Sequence, residues 1–169
     1  MRPLYVAVVG PGEGASDEAI ADAATLARLV AERRWIILCG GRAAGVMAAA
    51  ARGASEAGGI SVGILPDSDR RKAAPDLTIV LPTGLGEARN AVLVSCADAV
   101  VGCGINPGTL SELALSIRAR KPTVLVRAAA EQATFLSSLP HDAPIFAAAT
   151  PSEAVAWLET RFVGSREER

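Results

Sequence analysis

Residues 99–112 read AVVGCGINPGTLSE, and the order of residue types within them decides the fold. Residues 99–103 are a short apolar run without polar alternation, the pattern of a strand covered on both faces. Glycine, asparagine and proline crowd residues 104–108 and end the strand in a loop. From Thr109 to Ala119 apolar residues recur at helical spacing until Pro122 terminates the helix.

The same succession recurs on both sides. Upstream, residues 4–9 form a strand that stops at Gly10, Pro11 and Gly12. A helix follows, capped by Ser16, with Asp17 and Glu18 in the first turn where the helix dipole favours negative charge. Residues 36–39 repeat the strand, and Gly40, Gly41 and Gly45 open a helix that Gly58 and Gly59 close. A third strand spans residues 60–65. Residues 67–76 are a polar surface loop carrying Arg70, Arg71 and Lys72, before a short strand at 77–81. Thr83, Gly84 and Gly86 turn the chain into a helix over residues 87–96. Downstream, strands are expected at 123–126 and, at the edge, 144–146. A last helix begins after Thr150, with Pro151 in its first position and Glu153 completing a capping box. Continuous apolar strands alternating with helices predict a Rossmann-like three-layer α/β/α fold with a mostly parallel sheet. One domain is expected over residues 1–163, with 164–169 as a frayed tail.

Composition narrows the function. A net charge of −1 provides no basic footprint, so neither nucleic acid nor an anionic membrane is expected as a partner. Cys39, Cys96 and Cys103 are odd in number, lack CxxC spacing and lie in or beside apolar segments, which suits buried thiols in a reducing compartment. With one histidine, His141, no metal site is expected. No leader precedes the first strand and no apolar run has spanning length, so the expected location is the cytoplasm.

In a parallel sheet every helix starts at the carboxyl edge, and the glycine clusters all fall between a strand end and a helix start. Ligands of such sheets bind where the strand order reverses, here between the strands ending at Val9 and Cys103. Helix N-termini carry unpaired N–H groups and partial positive charge, and glycine lets an anion approach them. These considerations select Gly10, Gly12, Gly40, Gly41, Arg42, Gly45, Thr83, Gly84, Arg89, Gly104, Gly108, Thr109 and Glu112 as the candidate phosphate or ligand site, to which the family resemblance given below adds Asn90 and Asn106. Gly10, Gly12 and Gly14 alternate and make no GxGxxG, which disfavours an NAD-dependent dehydrogenase; the absence of GxxxxGK[ST] argues against a P-loop NTPase. Arg89 suits a bidentate anion clamp or a surface salt bridge. The stretch from Thr109 to Glu112 reads equally as a capping box and as a ligand or catalytic pair.

The stretch Gly102, Gly108, Thr109, Glu112 resembles the P-G-G-x-G-T-x-x-E motif of the LOG (LONELY GUY) proteins, long mislabelled lysine decarboxylases. Gly40, Gly41, Gly45 to Met47, and Gly58 to Pro66 are similar to the same superfamily. Pro82, Thr83, Gly84, Ala88, Arg89, Asn90, Ala97 and Asp98 look most like its molybdenum cofactor carrier branch. That resemblance implies a molybdopterin held without chemistry, with no further cofactor required. The hydrolase branch implies cleavage of a nucleoside 5′-monophosphate by an Arg and a Glu, matched by Arg89 and Glu112, with an AMP-like nucleotide bound. Here Ala88 and Asn90 replace that branch's flanking Glu and Lys, and Ile105 and Asn106 replace its paired glycines, which favours the carrier. Lys72 and Lys121 are not placed for a Schiff base, so a pyridoxal phosphate decarboxylase is set aside. A homodimer or homotetramer is expected through the helices holding Val92, Leu93, Val94, Leu110, Leu113, Leu115 and Ile117, whose apolar residues spread over more than one face. The resemblance implies the same.

Overall fold

The computed structural model describes residues 2–163; the expected frayed tail lies outside them. The strands are β1 (Tyr5–Val9), β2 (Ile36–Cys39), β3 (Ser61–Leu65), β4 (Ile79–Pro82), β5 (Ala99–Cys103), β6 (Thr123–Val126) and β7 (Ile145–Ala148). They form one sheet in the order β4-β3-β2-β1-β5-β6-β7. Every pairing is parallel, so the Rossmann-like α/β expectation holds. Strand order reverses between β1 and β5, where Val8 pairs with Val101 and Val9 with Gly102.

Alternation along each strand divides the core. Val6, Val8, Ile37, Val101 and Val124 face α1 (Asp17–Glu32), α2 (Gly45–Glu56) and α6 (Pro151–Val163). Ala7, Val9, Leu38, Val100 and Leu125 face α3 (Arg89–Cys96), α4 (Pro107–Arg118) and α5 (Ala130–Ser138). Both faces of the sheet are therefore dry, which is why its strands need no polar alternation. No described helix is long and apolar enough to cross a membrane.

Local signals explain most boundaries. The Ser16 hydroxyl accepts from the Ala19 N–H at 3.2 Å and caps α1. At α6 the Glu153 N–H donates to the Thr150 hydroxyl, while the Glu153 carboxylate accepts from the N–H of Ala149, one residue earlier than a capping box requires. Helix α5 is absent from the sequence-based expectation. Its N-cap, Ala129, has no side-chain oxygen, and only Leu136 is fully buried, so neither capping nor periodicity marks it. Strand β4 lies two residues later at its start than expected, because Thr78 is tied to Ser61 through hydroxyl–backbone bonds before regular pairing begins.

Two other expectations are corrected. Leu93, Val94, Leu113 and Ile117 belong to the core, Val92 and Leu115 pack half-buried against it, and Leu110 is the exposed member of the apolar set on α3 and α4. Cys39 and Cys103 are buried thiols, but Cys96 at the end of α3 is exposed. Burial pushes Cys39 up to about 11 and Cys103 higher still, so both are inert thiols at neutral pH.

Helices α1 and α2 approach so closely that a Cβ on Gly53 would overlap the Ala24 carbonyl oxygen and lie 3.0 Å from its Cα. The obstacle is backbone, which cannot swing aside as a side chain would. Gly53→Ala should lower the unfolding free energy by about 1–3 kcal/mol. Exposed Arg52→Ala, one residue away, should change it by less than about 0.5 kcal/mol. Denaturant titration measures both, and equal effects would contradict the close helix contact.

Candidate functional site

The reversal between β1 and β5 opens a cleft of about 390 Å3 over Val8 and Val9, a volume suited to a small molecule. Four junctions wall it. The β1–α1 loop contributes Gly10, Gly12 and Glu13; the β2–α2 loop contributes Gly40, Arg42, Ala44 and Met47. A short 3-10 turn and the start of α3 bring Glu87, Arg89 and Asn90, and the start of α4 brings Asn106, Gly108, Thr109 and Glu112.

Arg89 is buried, with 9% of its surface exposed, so it is no surface salt bridge. Its guanidinium lies against Gly40, where a Cβ would be 2.7 Å from Nη1 and 3.2 Å from Nη2. Gly40 thus makes room for Arg89 more than for an anion. Among the described residues the hydrogen-bonded acceptor of the guanidinium is Glu112 Oε1, at 3.4 Å, and Arg89 Nε is buried with none. A buried donor left without an acceptor costs free energy. Burial raises the Glu112 carboxyl to about 7; the Arg89 charge opposes the rise and the Glu87 charge adds to it.

At α4 the structure decides between the readings left open. The helix begins at Pro107, and Asn106 is its N-cap, with Oδ1 accepting from the Thr109 N–H at 2.8 Å and from the Thr109 hydroxyl at 2.9 Å. The Thr109–Glu112 capping box does not form, and Glu112 turns to Arg89 instead. Thr109 therefore offers an incoming anion neither its N–H nor its hydroxyl proton. Pro107 has no N–H, which leaves Gly108 as the open donor of that first turn. The Asn90 amide donates to Ser111 Oγ at 2.8 Å and ties α3 to α4 beneath the cleft wall.

Five expected site residues do not line the cleft. Gly41, at φ +82°, packs against Gly63. Gly45 seats the start of α2 on the Pro11 and Gly12 carbonyls, and Gly104 packs against Pro11 and Ala19. The Thr83 hydroxyl donates to the Leu65 carbonyl at 2.6 Å, and the Gly84 N–H to that of Asp67. These residues shape turns at the same sheet edge. Arg42 lines the cleft, but its guanidinium forks onto Asp67 at 3.0 and 3.3 Å. Arg71 pairs with Asp69, Lys72 with Asp67, and their short turn stays outside. Lys121 caps the far end of α3 through the carbonyls of Val94, Ser95 and Ala97, on the opposite sheet edge. Sequence reasoning missed Glu13, Met47 and Glu87; each is a neighbour of a glycine turn, and only position relative to the reversal distinguishes it.

The Glu112 carboxyl titrates near 7 folded and near 4.5 unfolded, so the folded state binds the extra proton between those values. Stability linked to this group is fully present below about 4.5 and is lost as pH rises through about 7. The stability of the wild type minus that of Glu112→Gln should therefore fall between pH 5 and 7.5, by on the order of 1–3 kcal/mol, then level off. Denaturant titrations of both proteins across that range measure the difference. A difference independent of pH would mean that Glu112 is solvated and ionised throughout.

Three known proteins are similar to this chain at appreciable identity. The molybdenum cofactor binding protein of the phototrophic bacterium Rippkaea orientalis is 34% identical, with a TM-score of 0.88 over 95% of this chain and 98% of that one. The molybdenum cofactor carrier protein of Chlamydomonas reinhardtii is 34% identical, with a TM-score of 0.89 over 96% and 99%. An uncharacterized protein of Archaeoglobus fulgidus is 35% identical over 122 residues, covering 72% of this chain and 78% of its own. With residues 3–155 matching its pattern, the chain belongs to the SLOG cluster4 family.

Proposed function

We propose that this protein is a cytosolic carrier of the molybdenum cofactor, which it holds by its phosphate without transforming it. The observation that carries the proposal is the buried Arg89 guanidinium with an empty Nε, set in a cleft beside the open Gly108 N–H. A cation held in low dielectric beside a helix N-terminus suits a phosphate, and a planar fork binds two of its oxygens. The relatives from Rippkaea orientalis and Chlamydomonas reinhardtii, matched over nearly their whole length, support molybdopterin as the phosphate-bearing group. Among the described residues no cluster of three or more His, Cys, Asp or Glu is arranged to hold a metal, so the cargo's pterin and phosphate carry the recognition. Leu110, exposed on α4, supports a homodimer or homotetramer.

Nucleoside monophosphate hydrolysis is the second reading. A carboxyl near 7 beside an arginine could serve as general acid or base. Against it, Ala88 and Asn90 supply no charge beside Arg89. Incubation with AMP should release no free base above background. Turnover that disappears in Glu112→Gln, with binding retained, would replace the carrier reading.

The mass of the small molecule copurifying with the protein identifies the cargo directly, and a phosphorylated pterin is expected. Calorimetric titration should detect binding of a pterin monophosphate and little or none of the dephosphorylated pterin. Arg89→Ala should weaken the phosphorylated ligand by roughly 10- to 100-fold, the worth of one charge-assisted hydrogen-bonded contact. Equal affinity for both forms would reject the phosphate anchor.

A further inference from the structure

The cleft lining is of two unlike kinds. Arg89, Glu112 and Gly108 are polar. Gly40 separates Arg89 from the Met47 sulfur, and the Met47 methyl reaches Gly12, where a Cβ would be 3.0 Å from it and 3.7 Å from Ala44 Cβ. Met47 and Ala44 are the apolar lining beside Gly12, and the residue following Gly12 is Glu13. Glu13 projects from the β1–α1 loop and lines the cleft with its carboxylate unpartnered among the described residues. A site for an anion gains nothing from a second carboxylate unless the ligand brings hydrogen-bond donors to it. The thioether of Met47 suits the face of a flat, polarizable ring.

We propose that Glu13 is the specificity-determining residue of the site, and that it accepts two hydrogen bonds from the donor edge of a 2-amino-4-oxopyrimidine ring stacked on Met47. This inference rests on the phosphate-carrier reading and deepens it. A carboxylate has two acceptor oxygens side by side, matching the adjacent ring N–H and amino N–H of that edge. Pterin and guanine both carry it. Adenine presents one amino donor beside a ring acceptor, whose lone pair would face a carboxylate oxygen, so an adenine ligand leaves Glu13 half satisfied and repelled. A site built around donors on its ligand rejects analogues that lack them far more strongly than an apolar slot rejects a change of shape.

The test is calorimetric titration of GMP, AMP and ribose 5-phosphate into the wild-type protein and into Glu13→Gln. Glu13 is exposed and makes no contact that holds the fold, so the variant should fold, and an unchanged thermal midpoint checks this. The wild type should prefer GMP over AMP by about tenfold or more. Glu13→Gln should weaken GMP by about tenfold, leave ribose 5-phosphate unchanged and bind AMP at least as tightly as the wild type, so that the preference collapses. Binding of all three ligands with no preference for GMP, or a preference that survives in Glu13→Gln, would overturn the role of Glu13 and leave the phosphate anchor standing. Failure of all three to bind, ribose 5-phosphate included, would instead overturn the anchor and this inference with it.

Discussion

Parallel pairing of β1 with β5 is the constraint from which the rest follows. Two parallel strands cannot be joined by a hairpin, so each connection crosses a face of the sheet as a helix and returns to the same edge. All helix N-termini thereby collect at one edge. Strand order runs outward from β1 to β4 on one side and from β5 to β7 on the other, so the crossovers diverge at a single place. A cleft opens there because no helix can pack across the point where both neighbours turn away.

The cleft is electrically unusual for an anion site. Its two arginines are not equivalent: Arg42 spends its charge on Asp67 at the rim, whereas Arg89 is buried with only a long contact to Glu112. A buried ion pair stabilises little when its geometry is poor, because the loss of solvation offsets the attraction. Burial raises the Glu112 carboxyl towards neutrality, and each step of its protonation frees Arg89 for another acceptor. Protonation of Glu112 and occupation by an anion therefore favour one another. The pair is held in place by the packing around it more than by its own attraction.

Glycine serves this site mainly by permitting close approach. Gly40 clears the path of the Arg89 guanidinium, and Gly45 lets α2 sit on the loop that follows β1. Such positions bring four separate loops within reach of one small molecule. The same economy appears between α1 and α2, where Gly53 lets the helices meet backbone to backbone, consistent with a chain rich in small residues and poor in aromatics.

Periodicity and turn chemistry alone determined the element order, the parallel sheet, the reversal beside Val9 and Cys103, and ten of the residues that line the cleft. These properties are local: an apolar run, a glycine between a strand end and a helix start, a cap. Tertiary structure alone decided the partners. The sequence around Thr109 and Glu112 is compatible with a capping box, and only the arrival of Asn106 at the N-cap and of Arg89 from 23 residues away turned Glu112 into the cleft. Glu13 and Met47 carry no signature of their own, since an acidic loop residue and a helical methionine are common everywhere. Their place beside Gly12 depends on how α2 docks on the β1–α1 loop, a long-range packing outcome that no window of the chain contains.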